Sequence, residues 1–118
     1  MSLGGDQAAQ YIRNPVVSQS VKAALQKLAA LQQKVADTAS RSTLKEQRVS
    51  DIGSDQSRIR ANMDRLSQSS DLYKRYVKTL SDEEDELAKL RDDIAKLRDL
   101  ESARRKDVPD CVQTLEVG

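Results

Sequence analysis

The sequence predicts an all-α chain, a long antiparallel two-helix coiled-coil hairpin, and three observations carry that prediction. The first is composition. The 118 residues contain no Trp, no Phe and only three Tyr, are one third charged and 37% hydrophobic, and include four Gly and two Pro. Such a chain lacks the aromatic bulk of an ordinary globular core and suits long helices whose burial is confined to a stripe. The second is spacing, which keeps one apolar phase through two long stretches. The third is the polar segment Ser67-Gln68-Ser69-Ser70 between them.

Residues 1–14 contain Gly and Gln with few large apolar groups, Tyr11 and Ile12 among them, and read as a flexible lead-in or cloning remnant. Pro15 suits the first turn of a helix, with Asn14 as its cap. Alternating steps of three and four from Val21 then give Ala24, Leu28, Leu31, Val35, Thr38, Ser42, Lys45, Val49, Ile52, Gln56, Ile59, Met63 and Leu66. Ten of these fourteen positions are apolar, with charged residues between them, which is the pattern of coiled-coil packing. Gly53 interrupts it at a cost of about 1 kcal/mol relative to Ala. The helix is expected to continue through it.

A second series runs Tyr73, Tyr76, Leu80, Glu83, Leu87, Leu90, Ile94, Leu97, Glu101, Arg104, Val108, Cys111 and Leu115. Between the two series the serines are too polar to be buried. Ser70 suits an N-cap, followed by Asp71 at the positive end of a helix dipole. The hairpin is therefore placed at 15–108, with arms of about 15–66 and 71–107, a turn at 67–70 and a short C-terminal segment at 109–118. Pro109 removes a helical hydrogen bond and disfavours the α conformation at Val108, so the second helix is expected to end or kink near 106–108. An arm of roughly 45 residues at about 1.5 Å each gives a rod on the order of 70 Å.

Reflection about the Ser69/Ser70 bond sets Ile59 against Leu80, Ile52 against Leu87 and Val49 against Leu90. It also sets Met63 against Tyr76, Gln56 against Glu83 and Thr38 against Glu101. The seam is accordingly assigned to Val49, Ile52, Ile59, Met63, Tyr76, Leu80, Leu87 and Leu90. Arg58, Arg60 and Arg75 are candidate contacts at the turn, braced by Asp55, Asp64 or Asp71. Leu25, Leu44, Leu72, Val77 and Leu100 fall off the seam. A second copy, dimerising into a four-helix arrangement, or the rest of a parent protein would cover them.

Net charge is +1, but residues 1–50 carry seven basic against three acidic side chains and residues 71–118 ten against thirteen. Arms of opposite sign attract each other, so the charge does not demand a nucleic-acid partner. The basic residues around the turn, interleaved with Tyr73 and Tyr76, leave nucleic-acid or anionic-surface binding as the alternative function. The run Asp82-Glu83-Glu84-Asp85-Glu86 reads as a solvated helix face, because consecutive helical side chains point away from a common centre. Cys111 has no partner for a disulfide and reads as a structural cysteine.

With no His, no phosphate-binding glycine loop and no nucleophile motif, the chain reads as a non-enzyme with no cofactor, no metal and no small-molecule substrate. No stretch reaches the roughly 18 apolar residues of a membrane span.

The blocks QSRIRANMDRL and SDLYKRYVKTLSDEEDELAKLRDDIAKL resemble the helical region near the C-terminus of large uncharacterised bacterial proteins of the mucoidy-inhibitor-A-like group. The resemblance spans about 44–100 and rests chiefly on Gln56, Arg58, Ile59, Arg60, Asn62 and Met63, with Arg75, Tyr76, Val77 and Leu80. It implies a helical appendage of a larger, envelope-associated protein, with no established catalysis. The Pro109 segment departs from that pattern, where a helix-compatible residue is expected.

Overall fold

The computed structural model describes residues 18–117 and is an all-α antiparallel helical hairpin. Helix α1 is Gln19–Met63 and α2 is Asp71–Val117. The expected cap at Asn14 and Pro15, and the lead-in at 1–14, lie outside the described residues. Within them, Ser18 is the residue that caps α1: its Oγ accepts from the Val21 amide at 3.3 Å and its carbonyl accepts from the Lys22 amide at 3.0 Å.

The first arm ends three residues sooner than the spacing predicts. After Met63 the chain tightens, with the Arg65 amide donating to the Asn62 carbonyl and the Leu66 amide to the Met63 carbonyl. These i to i−3 bonds satisfy carbonyls that an α-helix leaves open at its end. Leu66 keeps its half-buried place although it has left the helix.

The reversal itself is built by serines. Ser67 Oγ accepts from the Ser69 amide and shares a hydrogen bond with Ser69 Oγ, and the Ser67 carbonyl accepts from the Ser70 amide at 3.0 Å. Ser70 Oγ then accepts from the Tyr73 amide at 3.1 Å, the N-cap bond of α2. Such a cap contributes about 1 kcal/mol, and Asp71 adds a favourable charge in the first turn. Among the described residues none has a positive φ, so the turn closes without a left-handed residue and without glycine.

Every position of the two three-four series from Val21 to Leu115 is buried or half-buried. Among the described residues, chain contacts define two compact units, Ser40–Leu97 around the turn and 18–39 with 98–117 toward the ends. In the turn unit Ile52, Leu87 and Leu90 form one buried cluster with Val49 packed against it. In the terminal unit Leu28 and Val35 are buried. So is Leu25, at 2% exposure, although it falls off the three-four series, where the spacing expects a second copy or a parent protein to cover it.

Two local expectations resolve differently. Helix α1 passes through Gly53, where an added Cβ would meet nothing within 4 Å. Gly53→Ala is therefore expected to raise stability by about 0.5–1 kcal/mol, read as a higher denaturant midpoint with unchanged slope. An unchanged or lowered midpoint would mean that the glycine serves something other than the helix. Helix α2, by contrast, does not stop before Pro109 but carries it inside and runs on to Val117. Proline removes the donor that would pair with the Arg105 carbonyl. Pro109 and Arg105 are both exposed, so that carbonyl lies where water can bond it.

Candidate interaction surface

The predicted seam residues divide by depth. Ile52, Ile59, Leu87 and Leu90 are buried, with Ile52 fully so, whereas Val49, Met63, Tyr76 and Leu80 are half-buried. Near the reversal the helices end, and Met63 and Tyr76 are half-buried there, while Val49 is half-buried although it lies farther from the turn than buried Ile59. Tyr76 still finds a polar partner, since Asn62 Nδ2 donates to its hydroxyl oxygen at 3.2 Å. That role of Asn62 was missed in the spacing, which follows apolar positions and passes over a polar neighbour of the seam.

Polar seam residues meet partners other than those the reflection names. Gln56 donates to Glu84 Oε1 at 3.1 Å, not to Glu83. Glu83 instead faces the Asp55 carboxyl, and its own Oε1 is sealed from solvent with no hydrogen-bond partner. Burial first, and then the Asp55 carboxyl, push the Glu83 acid above its usual range. The Arg58 guanidinium, 2.7 Å from Asp55 Oδ1, holds the Asp55 carboxyl below its own.

In the terminal unit Thr38, 1% exposed, donates to the Lys34 carbonyl at 2.7 Å and accepts from Arg104 Nη1 at 2.7 Å. Glu101, its expected partner, pairs with Arg105 at 3.0 Å. The substitution has a physical reason. A buried hydroxyl that has already given its proton to a carbonyl needs a donor, which arginine supplies and an ionised glutamate cannot.

Two ion pairs join the helices in the turn unit, Lys45 with Asp93 at 3.3 Å and Arg48 with Glu86 at 2.8 Å. In both, α1 supplies the base and α2 the acid, as the charge split of the arms predicts. Arg48 engages both oxygens of Glu86, which raises the guanidinium further. Arg48 and Glu86 are about half exposed and Lys45 and Asp93 about a third, so solvent screens both pairs and they act mainly on pairing and register.

Of the three arginines assigned to the turn, Arg58 pairs with Asp55. Arg60 and Arg75 are exposed and have no ion pair with Asp64, Asp71 or any other described acid. Lys78 is held by Asp82 at 3.0 Å. Outward of the seam, Leu72 (44%), Val77 (48%), Leu100 (37%) and Leu44 (71%) expose large apolar side chains. Cys111 is half-buried beside a groove of about 420 Å³ lined by Ala24, Lys27, Leu31, Asp107 and Thr114.

No protein-family model, curated protein or solved structure matches the chain. Among the described residues no cluster of His, Cys, Asp and Glu has the geometry of a metal site, and no helix is long and apolar enough to cross a membrane. What the geometry offers chemically is a packed seam, a cationic turn and a set of uncovered apolar side chains.

Proposed function

We propose that the chain is a structural and protein-interaction module, a coiled-coil hairpin that acts as spacer or oligomerisation element of a larger bacterial protein of the mucoidy-inhibitor-A-like kind. The observation that carries this reading is the distribution of apolar side chains. Burial is concentrated along the seam, while Leu72 and Val77 stand nearly half exposed on α2 beside the turn. A pair of helices has little interior of its own, so further stabilisation is available from a second copy or from the parent protein. Mechanism here is packing, with Val49, Ile52, Ile59, Met63, Tyr76, Leu80, Leu87 and Leu90 as its contacts.

The test is mass as a function of concentration, by light scattering or sedimentation. The wild-type chain is expected to pass from monomer to dimer as concentration rises. Replacing Leu72 and Val77 together by Lys should keep the helical signal and suppress the dimer. A monomer at every concentration would remove self-association and leave the spacer role within the parent protein.

One observation favours a second reading, nucleic-acid or anionic-surface binding through the turn: Arg60 and Arg75 are exposed and unpaired among the described residues. Binding of that kind weakens steeply with salt. Neutralising both arginines should flatten the dependence, whereas no binding at low salt would exclude it.

A further inference from the structure

Glu83 occupies a seam position of α2 where α1 presents Asp55 and Gln56. Gln56 gives its amide to Glu84, and Glu83 Oε1 is closed off from water with no hydrogen-bond partner. The group within hydrogen-bonding reach is another acid, Asp55. Two carboxylates have no hydrogen between them, so this contact is a bond only when one proton lies in it. The surrounding charges do not supply a substitute. Arg58 is committed to Asp55 Oδ1 and Arg48 to Glu86, while Asp51, Glu84 and Glu86 add negative charge from both helices.

We propose that Asp55 and Glu83 hold one shared proton across the seam and that this proton is a latch, binding the two helices of the turn unit more tightly in mildly acidic solution than at neutrality. An acid pair that shares one proton titrates in two separated steps. The upper step lies above the ordinary glutamate value of 4.5 and the lower step below the ordinary aspartate value of 3.8.

Linkage then sets the direction. As pH falls toward 4.5 the folded chain binds the shared proton before the unfolded chain binds any, so stability rises. Between 4.5 and 3.8 both states hold about one proton and the contribution is level. Below 3.8 the unfolded chain takes the second proton that folded Asp55 resists, and the contribution declines. The pair therefore favours the hairpin most near pH 4, where paired carboxylates elsewhere in proteins are losing their stabilising effect.

The experiment compares unfolding of the full chain and of Glu83→Gln at pH 7 and pH 4.5, at one ionic strength, with exposed Asp85→Asn as control. Glutamine carries a permanent N–H donor for Asp55 and so imitates the shared-proton state. Glu83→Gln is expected to raise the folding constant several-fold at pH 7, and to lose most of that advantage at pH 4.5. Asp85→Asn should show no such change with pH. An equal effect of Glu83→Gln at both pH values would overturn the proposal. A carboxyl-carbon NMR titration of the wild-type chain gives an independent reading. A Glu83 midpoint above 4.5 is expected, and one at or below 4.5 would refute the shared proton.

Discussion

Ile52→Ala is expected to lower the stability of the chain by about 2–4 kcal/mol, the largest loss of any single truncation in the turn unit. Ile52 has no solvent exposure and sits in the cluster with Leu87 and Leu90, Val49 closing one side. Truncation removes the transfer energy of three carbons and leaves a void. A seam between two helices has no further layer to collapse into that void. Alanine's better helix propensity returns only a few tenths of a kcal/mol. The check is the urea midpoint against that of Leu44→Ala, whose parent side chain is 71% exposed and whose removal should fall within about 0.5 kcal/mol of zero. A loss below 1 kcal/mol at Ile52 would mean that the cluster is not what holds the turn unit.

Pro109→Ala should act in the opposite direction, by about 2 kcal/mol. Proline inside a helix costs about 3 kcal/mol relative to alanine, and its stiffening of the unfolded chain recovers up to about 1. The substitution restores the donor for the Arg105 carbonyl without touching the seam, because Pro109 is exposed. Amide exchange at 105–115 should slow while the far-ultraviolet helical signal stays level, because the helix already runs through Pro109. A marked gain in helical signal would show that the wild-type helix breaks at Val108 in solution, as the sequence alone suggests.

The contrast between these two sites shows what the sequence made legible. The helices and the phase of their seam could be read because a three-four spacing has one physical meaning over so many turns, and because four consecutive polar residues cannot continue a buried stripe. Ser70 was readable as a cap for the same local reason. Pro109 was not, since its local cost is outweighed by packing that propensity does not contain: Val108, Cys111 and Leu115 stay on the seam and keep their half-buried places only if the helix goes on.

Partner choice at polar positions was not legible from the reflection, which misses by one residue at Gln56 and by three at Thr38. Gln56 reaches Glu84, and Thr38 takes Arg104, because long side chains select among neighbours by donor and acceptor need and not by reflection. Burial of Leu25 lay beyond the spacing altogether, since the residue falls outside the three-four phase from which the seam was drawn.

A reversal closed by serine hydroxyls, with no left-handed residue, has a consequence for how such a chain can diverge. Turns that depend on glycine tie one position to one amino acid, and every substitution there meets steric resistance. At this apex no backbone position requires glycine, so Gln68 is open to change, while Ser67 and Ser69 are held by their mutual hydrogen bonds and Ser70 by its cap. That position is thus where descendants of this sequence are free to differ without disturbing the seam beneath it.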